Sequence, residues 1–120
     1  MDINVKYATS IVKDMDETIK FYKEVLGFEM DSQYYPPIPG SIITLMKSKN
    51  GDAMVELIKN PTDEVGFYSV GMDVKDLNAT LKELKEKGIK IIKGPLPTTV
   101  GSLAFIEDPN GVRICLIQHD

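Results

Sequence analysis

Side chains that can do acid–base, nucleophilic or metal chemistry are scarce in this 120-residue chain. It has one cysteine, Cys115, one histidine, His119, and one arginine, Arg113. A zinc finger, a Cys/His metal cluster and a histidine-based triad are excluded for want of parts. The remaining candidates lie on strand-like runs. In Val55-Glu56-Leu57-Ile58, alternation puts Val55 and Leu57 on one face and Glu56 on the other with Met54 and Ile58. If that second face lines a cup, Glu56 is a candidate general base or ligand-binding carboxylate. Arg113 shares a face with Cys115 by the same alternation. A guanidinium there suits a carboxylate or phosphate through two parallel hydrogen bonds. Its bland alternative is a rim ion pair with Glu56 or Asp73. Asp73 alternates with Ser69 and Gly71, so it suits the same face and helix entry equally. Cys115 reads as a small buried residue rather than a nucleophile. His119 stands next to the C-terminus, where chains fray, and is given no role. The segment 31–40 holds Tyr34, Tyr35 and three prolines. It reads as a stiff aromatic loop, either a rim that stacks on a ligand or a loop packed on protein.

Composition narrows the class. At 42% hydrophobic and 27% charged, the chain reads as a globular protein. A net charge of −4 and the absence of a Lys/Arg cluster argue against nucleic acid as a partner. No apolar run approaches the roughly 18–20 residues that span a bilayer. The start, Met-Asp-Ile-Asn, lacks the basic and apolar regions of a signal peptide. With one cysteine there is no internal disulfide, so a cytoplasmic location is expected.

The elements that must position these residues come as a repeat. Val12-Lys13-Asp14-Met15-Asp16-Glu17-Thr18-Ile19-Lys20-Phe21-Tyr22-Lys23-Glu24 returns 62 residues later as Val74-Lys75-Asp76-Leu77-Asn78-Ala79-Thr80-Leu81-Lys82-Glu83-Leu84-Lys85-Glu86, with seven of thirteen positions identical. Met15, Ile19, Tyr22 and Leu26 fall on one helical face, as do Leu77, Leu81 and Leu84. Asp14 with Glu17 predicts a capping box, and Gly27 and Gly88 predict helix stops. Strands are expected at 4–11, 28–33, 41–47 and 53–59, and again at 68–74, 89–93, 102–107 and 112–118. Asn50-Gly51 and Asn110-Gly111 mark hairpins. Two β-α-β-β-β modules, 1–62 and 66–120, therefore fill the chain. The fold class is α+β. The two modules are expected to form a curved, cup-shaped mixed sheet with the helices outside, because each helix covers only one sheet face and a module alone buries too little surface.

This pattern resembles the glyoxalase / bleomycin-resistance / extradiol-dioxygenase family, the vicinal oxygen chelate superfamily. The stretch from Val12-Lys13-Asp14-Met15 to Phe21-Tyr22-Lys23-Glu24-Val25-Leu26-Gly27-Phe28 looks like the family's first helix. Phe105-Ile106-Glu107-Asp108-Pro109-Asn110-Gly111 looks like the turn before its last strand. The resemblance implies a divalent metal in the cup, held by one residue each from the first and fourth strands of both modules. It acts as a Lewis acid on two neighbouring substrate oxygens. Carried over position by position, those places are Tyr7, Glu56, Ser69 and Cys115. Only Glu56 matches the usual ligand type. Neutral hydroxyls and one thiol are poor company for a catalytic divalent metal.

The resulting expectation is a family member that binds a small molecule in the cup without the usual metal and with no cofactor. Its ligand-binding candidates are Tyr7, Glu56, Ser69, Asp73, Arg113, Cys115, Tyr34 and Tyr35. The alternative is a glyoxalase-like lyase or isomerase, related to lactoylglutathione lyase, acting on an α-carbonyl or vicinal-oxygen substrate. There Glu56 is the catalytic base or a metal ligand. A closed structural module is a third possibility. Whether the chain is an enzyme stays open at this point. A homodimer is expected in every case, since the family usually builds its cup from paired modules. No nucleic acid or membrane partner is expected.

Overall fold

The computed structural model describes residues 1–120. The element order is β1 (Ile3–Ile11), α1 (Met15–Glu24), β2 (Glu29–Tyr34), β3 (Ile42–Lys47), β4 (Met54–Lys59), β5 (Gly66–Val74), α2 (Leu77–Glu86), β6 (Lys93–Thr98), β7 (Gly101–Glu107) and β8 (Arg113–His119). This is β-α-β-β-β twice, in the α+β class the repeat predicts. No helix is long and apolar enough to cross a membrane. The chain divides into two compact units, Tyr7–Tyr68 and Met1–Lys6 with Ser69–Asp120.

In the first unit the strand order is β2-β3-β4-β1. β1 runs parallel to β4, while β3 is antiparallel to both β2 and β4. The helix α1 starts where the sequence places it. Asp14 is extended, and its carboxylate accepts from the Glu17 N–H at 3.0 Å. That satisfies one of the donors a helix start leaves over. Gly27 ends the helix at φ 74, a left-handed conformation that costs glycine little. The Phe28 N–H then reaches back to the Tyr22 carbonyl. The helix buries Met15 and lays Ile19 and Tyr22 over Met46, Val55 and Leu57.

In the second unit the order is β5-β8-β7-β6, with β5 parallel to β8 and the other pairs antiparallel. The helix α2 repeats the design. The Asp76 carboxylate accepts from the Ala79 N–H at 3.0 Å, and Gln118 Oε1 accepts from the Leu77 N–H at 2.7 Å. Leu77, Leu81 and Leu84 pack with Val74, Ala104, Ile106 and Leu116. The first residues of the chain belong here: Ile3 packs on that core, and the N-terminal amine lies 3.7 Å from Glu83.

Two expectations need correcting. The strand expected at 89–93 lies instead at Lys93–Thr98. Its apolar signal came from Ile89, Ile91 and Ile92, which form the connection after Gly88; Ile91 packs on the core. The real strand carries Pro95 and Pro97. It accepts them because β6 is the last strand in its order and pairs with β7 alone, so an outward N–H has no ladder partner to lose. The loop read at 31–40 is also shorter. Residues 31–34 continue β2, and Tyr34 pairs with Ile43.

Candidate functional site

In each unit, one sheet face is covered by the helix and the candidate residues sit on the other. In the first unit, Val55 and Leu57 join the core under α1, as alternation predicts. Strand pairing then sets Glu56 beside Thr9 on β1 and Leu45 on β3. The neighbouring row on the same face brings Tyr7 beside Met54. The row on the other side contains Ile11, Ile58, Ile43 and Tyr34. Tyr7, Glu56 and Tyr34 thus share a face, with apolar side chains between them.

Glu56 is half-buried, and the Thr9 hydroxyl donates to its Oε1 at 2.8 Å. Thr9 is 2% exposed and Tyr7 5%. The sequence reading missed Thr9. Its signal was its position two residues after Tyr7, which puts both on one face of β1. Tyr35 departs from Tyr34: its ring is exposed, and its hydroxyl donates to Gln33 Oε1 at 2.9 Å. Gln33 in turn donates to Thr44 at 2.9 Å, on the helix-side face. The two tyrosines therefore do not make one aromatic rim.

In the second unit, Met72, Val74, Ile114 and Leu116 pack toward α2. The opposite face carries Ser69, Gly71 and Asp73 from β5 and Arg113, Cys115, Ile117 and His119 from β8. Cys115 is buried between Gly71 on one side and Phe105 on the other. Ser69 is buried as well. Arg113 lies opposite Glu107 on β7.

Asp73 does not pair with Arg113. Its Oδ1 lies 2.7 Å from His119 Nδ1. The expectation that His119 lies in a frayed tail is therefore corrected. It is the last residue of β8, paired in register with Gly101, and the Asp120 N–H bonds the Val100 carbonyl beyond it. Strand pairing carries almost to the last residue, so the terminus does not fray at His119.

The metal positions implied by the resemblance hold Tyr7, Glu56, Ser69 and Cys115. Three of these are two neutral hydroxyls and a buried thiol, and the one carboxylate already accepts from Thr9. No three His, Cys, Asp or Glu side chains come together in the chain to hold a metal ion. This donor set does not fit the family's divalent metal.

A model of the glyoxalase/bleomycin resistance protein/dioxygenase superfamily matches residues 4–116. The chain belongs to this superfamily. It is 32% identical over 116 residues to a probable lactoylglutathione lyase of Synechocystis, covering 89% of this chain and 88% of that one. It is 25% identical over 117 residues to the lactoylglutathione lyase of Haemophilus influenzae, covering 90% and 87%. Among solved structures, a methylmalonyl-CoA epimerase from Mycobacterium tuberculosis matches with a TM-score of 0.84 at 22% identity, covering 98% of this chain and 88% of that one. At that identity the likeness is one of fold. Superfamily membership agrees with the resemblance read from the helix and turn motifs, and it leaves the reaction open.

Proposed function

We propose that this superfamily member binds a small molecule through carboxylate, hydroxyl and guanidinium groups on its sheet faces, with no resident divalent metal and no other cofactor. The observation that carries this reading is the Thr9–Glu56 hydrogen bond. The one carboxylate at a family metal position is held by a protein hydroxyl donor, and the other three positions offer no usual ligand. On this reading Tyr7, Glu56 and Tyr34 contribute from the first unit, and Ser69, Asp73, Arg113 and Cys115 from the second. Arg113 is the anion-binding group. The protein acts as a homodimer in the cytoplasm.

The test is metal content. Purified protein is offered nickel, zinc, manganese and iron separately, dialysed, and assayed for bound metal by mass spectrometry. No tightly held metal is expected. About one per chain would overturn the metal-free reading. A thermal-shift ligand screen follows, with Glu56→Gln and Arg113→Gln as controls that should weaken any hit.

A second reading is supported by the same carboxylate and by the names of the relatives. Glu56 would act as general base in a lyase or isomerase acting on an α-carbonyl or vicinal-oxygen compound. Turnover of such a compound that Glu56→Gln abolishes, with the fold intact, would favour it over simple binding.

A further inference from the structure

Residues 85–93 read Lys-Glu-Lys-Gly-Ile-Lys-Ile-Ile-Lys, four lysines against one acid. Four positive charges less one negative leave +3 here and −7 for the rest of a chain whose net charge is −4. No two of these lysines are adjacent, so no unbroken basic run stands out in the sequence. The fold holds them on one ordered stretch of surface. Gly88 turns the chain at φ 82, its N–H bonds the Lys85 carbonyl, and the Ile89 N–H bonds the Leu84 carbonyl. The Ile92 N–H then bonds the Phe105 carbonyl, while Ile91 packs on the core. From Lys85 to Pro97 every residue except Ile91 is exposed. None of the four lysines is in an ion pair.

Solvated lysines alone are ordinary on a protein surface and need no partner. Here three large aliphatic side chains stand among them: Ile89, Ile92 and Leu96 are 38%, 48% and 36% exposed. Lysines beside exposed aliphatic tips suit an anionic bilayer, with charge on the headgroups and the tips at the acyl boundary. Nucleic acid is the lesser fit. Residues 85–97 hold no arginine and no aromatic ring, the groups that stack on bases. The expectation of no membrane partner rests on the lack of a spanning segment, and surface binding needs none.

We propose that the end of α2 and the connection into β6 form a docking surface for anionic lipid bilayers. Lys85, Lys87, Lys90 and Lys93 meet the headgroups, with their alkyl stems lying along the interface. Ile89, Ile92 and Leu96 enter the boundary below. The separation of charge within the chain orients the encounter, because the acidic remainder is repelled by the surface that attracts the basic run. β6 is the last strand in its sheet order, and Pro95 and Pro97 have no N–H groups to desolvate there. Binding of this kind is reversible and screened by salt. It is independent of the small-molecule reading above.

The experiment is co-sedimentation of the full chain with vesicles of phosphatidylserine and phosphatidylcholine in equal parts, and with vesicles of phosphatidylcholine alone. Wild-type protein should pellet with the first and not with the second, and added salt should release it. Lys87→Gln, Lys90→Gln and Lys93→Gln together should weaken binding about 100-fold, roughly fivefold for each charge. Ile89→Ser with Ile92→Ser should weaken vesicle binding about tenfold. The same pair should leave binding to heparin, a polyanion with no apolar phase, unchanged. Thermal melting checks that these exposed changes spare the fold. Wild-type protein that stays in solution with the phosphatidylserine vesicles overturns the proposal, as does pelleting that survives the lysine changes. Vesicle binding that the isoleucine changes do not weaken marks a plain polyanion site and overturns it too. A wild-type dimer that the isoleucine changes dissociate, seen by sedimentation velocity, means that a second copy covers this surface, and that also overturns the proposal.

Discussion

Thr9 and Glu56 face one another across the parallel β1–β4 pair, and the threonine hydroxyl donates to the carboxylate at 2.8 Å. The pair joins the first strand of the module to its fourth, the two strands that carry Tyr7 and Glu56. Thr9 is almost wholly buried and Glu56 partly so, and a hydrogen bond to a charged acceptor in such a place is worth more than a surface one. Thr9→Val keeps the shape and removes the donor. It should lower stability by about 1.5–3 kcal/mol. Thr9→Ser should recover most of that loss. Urea denaturation of the three proteins, compared at constant slope, checks both. A Thr9→Val protein as stable as the wild type would mean the hydroxyl does not support the carboxylate.

Much of this architecture is legible in the sequence. The caps at Asp14 and Asp76 and the stops at Gly27 and Gly88 are local signals, and the repeat states them twice. Glu56 could be assigned to its face because Val55 and Leu57 flank it, and alternation is also local. What could not be read depends on partners far along the chain. Thr9 meets Glu56 only through the register of two strands 47 residues apart. His119 meets Asp73 across 46. β6 was missed because its prolines are tolerated only at the end of a sheet order, a fact of topology and not of propensity.

The two acceptors at the start of α2 can be separated. Asp76 takes the Ala79 N–H and Gln118 takes the Leu77 N–H, so two of the helix's leftover donors depend on side chains from different elements. Asp76→Ala should cost about 1 kcal/mol. Gln118→Leu should cost about the same, since it strands a part-buried donor. The two serve one helix end, so the double variant should depart from the sum of the singles, as a double-mutant cycle on thermal or urea unfolding would show.

Cys115 offers a reading of native closure. It is buried, with Gly71 and Phe105 as its strand neighbours on the same face. A disulfide-exchange reagent such as Ellman's should react slowly with the folded protein and rapidly once denaturant unfolds it. The native rate should track opening of the structure, so it should rise in destabilised variants such as Thr9→Val. Fast, complete reaction in the folded wild type would show that the thiol is accessible, and the ligand-contact role given to Cys115 would then extend to covalent chemistry.

Leu57 tests the core beneath the site. It is 1% exposed and packs under α1 with Met15 and Met46, while its neighbour Glu56 points to the opposite face. Leu57→Ala should leave a cavity and cost about 2–5 kcal/mol, measured as a lower denaturation midpoint. Because the strand's alternation separates the two faces, the loss should be one of stability and not of ligand affinity, provided the protein is assayed well below its new melting temperature. Ligand identified by the thermal-shift screen should therefore bind Leu57→Ala nearly as tightly as wild type, whereas Glu56→Gln should bind it weakly without a comparable loss of stability. The reverse pattern, with affinity falling in Leu57→Ala and holding in Glu56→Gln, would place the binding surface on the helical side of the sheet and not on the face that carries Tyr7 and Glu56.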